Sequence, residues 1–429
     1  DRKDEARIPL PAISAPVRVV LVRHGQSTWN AAGRIQGASD VSELTPKGKE
    51  QASTSREMLS DAEFDVMFRS PLRRCTQTSD IIWGERAEPV VDMPVLREID
   101  LYSFQGLVKA EGKARFGEEY RKWKEDVLNF EIDGHFPVRE LWYRGSLGWQ
   151  AILGAEVPPS VLVVAHNAVN QAMVATAIGL PASYFRRLTQ SNAAVTVLDL
   201  KPSSSPGAPP RVTVDRLNSS PGSPLDAGLG VPRVVLVRHA GTEATEDGVL
   251  LGGQDEGIST KGRVQAQKLA EMMLDIKVGK VLTSPMQRAE ETATSMAEIL
   301  SLGLGGSPPV ETVPGLGPMR LGAWEGRRAV DIAGSPPPAG CETPEEIYAR
   351  AMEAFEGPVL NAAAEGGGQT VVVVGHAASL AAMICGALGL PAASFNTFHL
   401  DSAGVTVLEY PKGVDGEAVV RCANYTAHL

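Results

Sequence analysis

Val17-Arg18-Val19-Val20-Leu21-Val22-Arg23-His24-Gly25-Gln26-Ser27-Thr28-Trp29-Asn30 is the stretch from which the rest of the chain can be read. Val17 to Val22 is a β-branched run of the kind that forms a buried parallel strand, and Gly25 ends it just past the Arg-His pair. The pair is therefore expected at the C-terminal edge of a strand, where ligands bind in open α/β sheets. A permanent cation beside a titratable imidazole at that edge suits an anionic ligand. The plainer alternative is a pair that merely closes a strand, with the imidazole bonded to a neighbour.

The same run occurs twice. Val19-Val-Leu-Val-Arg-His24 returns as Val234-Val-Leu-Val-Arg-His239, and Leu44-Thr-Pro-Lys-Gly48 as Ile258-Ser-Thr-Lys-Gly262. Ser70-Pro-Leu-Arg-Arg74 returns as Ser284-Pro-Met-Gln-Arg288, Val161 to Phe185 tracks Thr370 to Phe395, and a closing strand pair (195–199 with 211–215) is repeated at 405–409 with 418–421. Matches in one order over the whole length imply two tandem copies of one fold. Within each copy short apolar strands alternate with helical patterns: in the first, helices over 45–60 and 72–83, strands at 64–68 and 161–164, and a helix running to Ile178. That alternation predicts an α/β fold, a doubly wound, mostly parallel sheet with helices on both faces. The expected organisation is an N-terminal tail (1–16), a catalytic domain (17–218), a Pro/Gly/Ser linker (219–230) and a second domain (231–429). Residues 201–210 are as rich in Pro and Ser as the linker, but the repeat makes them a loop between the last two strands of the first copy.

At 429 residues the chain is long enough for each copy to bury its own core. A net charge of −10 argues against nucleic acid or an anionic membrane as partner, because both demand a basic surface. The most apolar stretch, Ala377 to Leu390, is shorter than a bilayer span and reads as a buried helix. Cys75, Cys341, Cys385 and Cys422 have no metal-like spacing, and a disulfide framework is not expected. Cys75 follows Arg74 directly, so its oxidation would disturb the site, although a small buried side chain on the first turn of a helix is the simpler expectation.

Taken together, Arg-His-Gly-Gln-Ser-Thr-Trp-Asn (23–30), Ser70-Pro-Leu-Arg-Arg74, Leu96-Arg97-Glu98 and Val163-Val-Ala-His166-Asn167 resemble the four motifs of the histidine phosphatase (phosphoglycerate mutase-like) superfamily. The resemblance implies that His24 accepts the phosphoryl group, that Arg23, Arg74 and His166 hold its oxygens, and that Glu98 is the general acid and base. The residue types suit the chemistry. Phosphoryl transfer needs a nucleophile, positive charge around the equatorial oxygens and a proton for the leaving oxygen, and guanidinium forks bind phosphate in two-point fashion. A surface carboxylate paired with Arg97 is the alternative for Glu98. No ligand cluster is evident, so neither metal nor cofactor is expected.

Glu98 to Glu119 resembles the acid and substrate loop of cofactor-dependent phosphoglycerate mutases, including a Lys at 109, but Trp123 is followed by Lys124-Glu125 where mutases carry paired arginines. Over its full length the chain resembles the plant 2-carboxy-D-arabinitol-1-phosphatase family, which implies a small carboxylated sugar phosphate as partner and the chloroplast stroma as location. Further substrate contacts are expected from Ser27, Asn30, Gln36, Gly37, Lys109, Arg121, Lys124 and Asn167, with Lys109, Arg121 and Lys124 equally readable as solvated charges on a helix. The second copy keeps Arg238, His239, Arg288 and His376 but has Pro318 at the Glu98 position, Arg-His-Ala-Gly in place of Arg-His-Gly-Gln, and Thr245 for Asn30. It is expected to be a phosphate-binding or structural copy without turnover, unless Glu325 supplies the acid. A mutase, and a scaffold that holds phosphate without chemistry, remain the alternatives for the whole chain, and the sequence leaves the oligomeric state open.

Overall fold

The computed structural model describes residues 8–154, 157–225, 230–303, 306–365 and 370–429. The chain divides into two compact units, 1–222 and 223–429. The first holds β1 (Val17–Arg23), α1 (Thr28–Ala31), α2 (Pro46–Met58), β2 (Val66–Arg69), α3 (Arg73–Trp83), β3 (Val90–Asp92), α4 (Lys109–Glu125), α5 (Pro137–Ile152), β4 (Ser160–Ala165), α6 (Asn167–Ala177), β5 (Val195–Lys201) and β6 (Arg211–Ser219). The second holds β7 (Arg233–Arg238), α7 (Glu243–Glu246), α8 (Thr260–Glu271), β8 (Val278–Thr283), α9 (Gln287–Leu300), β9 (Val310–Thr312), α10 (Pro344–Ala354), α11 (Leu360–Glu365), β10 (Thr370–Gly375), α12 (Ala377–Ala387), β11 (Val405–Glu409) and β12 (Val419–Tyr425).

Strand order in the first unit is β3-β2-β4-β1-β5-β6, and in the second β9-β8-β10-β7-β11-β12, the same order copy for copy. β1, β2, β3 and β4 are mutually parallel, whereas β5 runs antiparallel to β1 and β6 to β5. The alternation of side chains along β1 explains why so apolar a run is stable here. Val20 and Val22 pack with Leu59, Ile82 and Trp83 from the α2 and α3 side, while Val19 and Leu21 point the other way and are equally enclosed. On that second side α5 buries Val138, Leu141, Trp142, Gly145, Trp149 and Ile152, a helical spacing that forms one face. Gly145 lets α5 approach α6, since a Cβ there would lie 3.2 Å from that of Ala172.

The expected helices and strands are present with ends shifted by up to four residues, most in β6 and β12, which run on past 215 and 421. At helix ends the shifts lie at the caps: Thr45, for example, is the cap of α2 rather than its first residue, its Oγ1 accepting from Gly48 N at 3.0 Å. The segment read as a linker begins inside β6, where Ser219 pairs with Val195, and its Leu225 is packed into the core of the second unit. Residues 226–229 of that segment, and 1–7 of the N-terminal tail, lie outside the described residues. No helix among the described residues is long and apolar enough to cross a membrane, and α12 is 11 residues long.

Candidate active site

Three parallel strands end together. Arg23 is in register with Ala165, and Arg69 with Val164, so His24, His166 and Ser70 emerge side by side at the C-terminal edge of the sheet. His24 N donates to Ala165 O at 3.0 Å, its ring stands edge-on to that of His166 with centroids 5.2 Å apart, and His166 Nε2 lies 2.7 Å from Ser70 Oγ.

His24 is 2% exposed, and its Nδ1 lies 2.7 Å from Gly25 O. A carbonyl can only accept, so Nδ1 carries the proton and Nε2 the lone pair. Burial, then the cations Arg74 and Arg23, hold its pKa well below the usual 6.5, which leaves the imidazole neutral at neutral pH. The turn that presents it needs glycine: a Cβ on Gly25 would sit 2.2 Å from Gly48 O.

Arg23 is pushed down to about 10 by burial and still keeps its charge at neutral pH. Its Nη1 donates to Gln190 O at 2.6 Å. Arg74, fully buried at the start of α3, donates from Nη1 to Ser39 O at 2.7 Å and from Nη2 to Gly37 O at 2.9 Å, while the Nε of both arginines has no protein partner. A guanidinium has five N–H donors, so each keeps several for an anion.

Glu98 is buried, and its carboxylate lies on the first amides of α6. Oε1 accepts from Ile99 N at 2.9 Å, Ala168 N at 3.1 Å and Val169 N at 3.1 Å, and Oε2 from Ala168 N at 3.1 Å. Arg144 fixes the backbone beneath it, donating to Glu98 O at 2.9 Å and to the carbonyls of Val95 and Arg97. Arg97 turns away to Ala38 O at 3.2 Å, so the surface ion pair with Glu98 is not formed.

These groups open into a cavity of about 430 Å³. Arg23, His24, Arg74 and Glu98 line it, as do Asn30, Gln36, Gly37, Lys109 and Asn167 among the expected substrate contacts. Asn30 Oδ1 accepts from Ser27 N and Asn192 Nδ2, so its own amide nitrogen is what it can offer. Four expected residues are not on the wall. His166 is fully enclosed behind His24. Ser27 is fully buried as the cap of α1, its Oγ 3.0 Å from both Asn30 Oδ1 and Gln36 Oε1. Arg121 points to solvent and pairs with Glu118 at 2.6 Å and Glu125 at 3.0 Å, because helical spacing places both acids on its own face. Lys124 is exposed beside Tyr120, its Nζ 5.8 Å from that ring's centroid.

Arg186, Trp123 and Gln171 line the cavity without having been anticipated. Arg186 has φ +73°, a left-handed conformation unusual for a bulky residue. It is held there because its N–H donates to Gln171 Oε1 at 2.7 Å, its guanidinium lies 4.1 Å over the Trp123 ring, and its Nη1 donates to Trp123 O at 2.6 Å. The signal was in the repeat: Phe185-Arg186 in one copy faces Phe395-Asn396 in the other.

The histidine phosphatase superfamily (branch 1) model matches residues 19–205 and again 234–424. The chain belongs to the histidine phosphatase superfamily. It is similar over its whole length to the 2-carboxy-D-arabinitol-1-phosphatase of Triticum aestivum, 42% identical over 100% of this chain and 89% of the relative. A probable 2-carboxy-D-arabinitol-1-phosphatase of Arabidopsis thaliana is also 42% identical, over 96% of this chain and 88% of its own length. Phosphoserine phosphatase 1 of Hydrogenobacter thermophilus is 29% identical over 43% of this chain and 87% of its own length. With phosphatases as relatives over its whole length, the chain is a phosphoric monoester hydrolase, and a scaffold without chemistry is set aside.

The second histidine phosphatase domain repeats the histidine and arginine arrangement of the site. His239 Nδ1 lies 2.8 Å from Ala240 O, His376 Nε2 2.8 Å from Ser284 Oγ, and the two rings are 5.1 Å apart. Arg288 donates to Gln254 O at 2.8 Å and Gly252 O at 3.0 Å, and Arg238 to Leu400 O at 2.7 Å. Pro318 stands where Glu98 does, its carbonyl accepting from Arg350 Nη2 at 2.9 Å as that of Glu98 does from Arg144. Glu325 rests on the turn behind Arg288, Oε1 accepting from Gly253 N at 3.1 Å and Leu321 N at 3.2 Å. Glu342, buried near Pro318, is held below the usual carboxylate range by its bonds from Arg350 and Arg320, despite its burial.

Proposed function

We propose that the first domain hydrolyses a carboxylated sugar phosphate, of the 2-carboxy-D-arabinitol 1-phosphate type, through a phosphohistidine on His24. The observation that carries this is the state of that imidazole: neutral, its Nδ1–H tied to Gly25 O, its Nε2 lone pair presented between two guanidiniums with free donors. In the first step Nε2 attacks phosphorus, the bond from phosphorus to the sugar oxygen breaks, and Glu98 delivers a proton to that oxygen. In the second, Glu98 as carboxylate takes a proton from water as the water attacks the phosphohistidine, releasing phosphate and restoring His24. Arg23 and Arg74 bind the equatorial oxygens and stabilise the charge that spreads onto them. Ser27 and Gln36 set Asn30, and His166 backs His24 from the protein side.

Kinship with plant phosphatases named for 2-carboxy-D-arabinitol 1-phosphate supports the substrate class, and by resemblance the chloroplast stroma. The cavity's size favours a small molecule. A mutase reading loses support because Arg121 is paired outside the cavity and no paired arginines follow Trp123. The second domain, 231–429, holds phosphate without turning it over, for want of an acid at Pro318. Rapid quench with ³²P-labelled substrate tests the reading: the expected adduct is alkali-stable, acid-labile and absent in His24→Ala. An acid-stable adduct, or one that survives that substitution, overturns it.

A further inference from the structure

The geometry points to Arg186 as the residue that recognises the substrate's carboxylate, by two-point contact from the Nε–Nη2 edge of its guanidinium. The inference rests on the substrate class proposed above and assigns the group that selects it. Arg186 shares the cavity wall with His24, yet no aspartate or glutamate among the described residues pairs with it. Nη1 is already used on Trp123 O, and stacking on Trp123 fixes the plane of the fork. What remains is the Nε–Nη2 edge, which donates to no described residue.

Elsewhere in this chain that same edge grips carboxylates. Arg18 donates from Nε and Nη2 to the two oxygens of Asp199, each at 2.7 Å, and Arg121 does so to Glu118 at 2.9 and 2.6 Å. Arg186 has the same fork, pre-oriented and empty-handed, on the wall of a site that takes anions. Lys109 lines the same cavity, and Lys124 is within electrostatic reach of both, its pKa lowered by burial and then by Arg186 and Lys109. Arg186 and Lys109 on the wall, neither paired with an acid among the described residues, make a second anion subsite distinct from the Arg23–Arg74 phosphate grip.

The second copy gives independent support. At the Arg186 position it has Asn396, which is not in the left-handed region, and in place of α4, the helix that brings Trp123 and Lys109, it has only a short turn at Ala329–Asp331. Acid and fork are thus lost together, as expected if both act on the part of the substrate beyond the phosphate.

The test is steady-state kinetics of the full chain, Arg186→Gln and Arg186→Lys on 2-carboxy-D-arabinitol 1-phosphate and on D-arabinitol 1-phosphate, the analogue without the carboxylate. The parent should favour the carboxylated substrate by about tenfold to a hundredfold in kcat/KM. Arg186→Gln should bring that ratio near one, chiefly through KM, and Arg186→Lys should keep part of it, since lysine restores the charge and not the fork. Arg186→Lys also keeps a cation over Trp123, so it remains informative if the Gln variant unfolds. A preference undiminished in both variants overturns the role of Arg186 and leaves the substrate class standing. Equal efficiency of the parent on both substrates overturns the substrate class, and this inference with it.

Discussion

Arg74 in one domain and Arg288 in the other are tied to equivalent pairs of backbone carbonyls at nearly equal distances, while Glu98 and Pro318, at equivalent positions, share nothing but a carbonyl bonded to an arginine. The contrast separates two tasks. Holding a phosphate needs charge and donors delivered by strand ends, and both copies keep these. Expelling an alcohol needs an acid and a grip on the sugar, and on the reading proposed above those come from the loop after Leu96, from α4 and from the turn at Arg186, all of which differ in the second copy.

The largest effect should come from the paired nucleophile substitutions. His24→Ala is expected to abolish turnover of every phosphomonoester, whereas His239→Ala should leave kcat within about twofold and weaken phosphate binding by the second domain. Loss of half or more of the activity in folded His239→Ala would make the second domain an active site and direct attention to Glu325. Next is Glu98→Gln, which keeps an acceptor for Ala168 N but has no proton to give. It should cost about 10²–10⁴ in kcat on a sugar phosphate and much less on nitrophenyl phosphate, whose leaving group needs no acid. Equal losses on both substrates would mean that Glu98 acts by capping α6 rather than by proton transfer.

The strand ends of this site were legible in the sequence itself, whereas residues off the strands such as Glu98, Asn30 and Gln36 were legible only through the family resemblance, and Arg186 not at all. A run such as Val17–Val22 has one stable use, as a strand buried on both faces, so whatever follows it must emerge at the sheet edge. His24, His166 and their second copies could be placed for that reason, whereas Arg74, in the first turn of α3, was read from the resemblance. Arg121 and Arg186 show the limit. Both are arginines beside an aromatic segment, and what decides between them is whether an acid lies within reach: Glu118 and Glu125 are three and four residues from Arg121 on the same helix, whereas Arg186 is turned inward by a left-handed backbone and a bond from its own N–H to Gln171. The first fact is local and could have been read; the second depends on a distant side chain. His166 shows a third limit, since spacing gives its strand end but not the depth at which Ser70 holds its ring.

Acid stability should show the two domains behaving alike. His24 and His166, and likewise His239 and His376, are all held well below the usual 6.5, burial first and neighbouring charges second. An unfolded chain takes up these protons near pH 6.5 and the native one only at lower pH, so below 6.5 the unfolded state binds more protons and stability falls with pH. Each histidine contributes a slope of up to about 1.4 kcal/mol per pH unit in that window. Urea unfolding between pH 7 and 5 should therefore show steep losses in both domains, and the double variant His239→Ala/His376→Ala should flatten the slope of the second alone. Constant stability from pH 6.5 to 5 would show that these imidazoles are hydrated and titrate normally.

The smallest effect should come from Cys75, the residue after Arg74, which is Ala289 in the second copy. Its thiol donates to Ala165 O at 3.1 Å and lies 3.4 Å from His166 Nε2, close enough to suggest that it steers the imidazole. The comparison argues otherwise. His376 keeps a 2.8 Å contact to Ser284 with an alanine at the thiol position, against 2.7 Å between His166 and Ser70. The serine alone therefore sets the ring. Burial also raises the thiol's pKa far above its ordinary value, so the thiolate that oxidants and alkylating reagents attack is scarcely populated. Cys75→Ala should lower stability by about 1 kcal/mol, through a cavity the size of one sulfur, and leave kcat within a few-fold. A thiol reagent should label native protein at the partly exposed Cys341 before Cys75. Rapid labelling of Cys75 with parallel loss of activity, or a hundredfold loss in Cys75→Ala, would show that the first copy uses its thiol for something the second has given up.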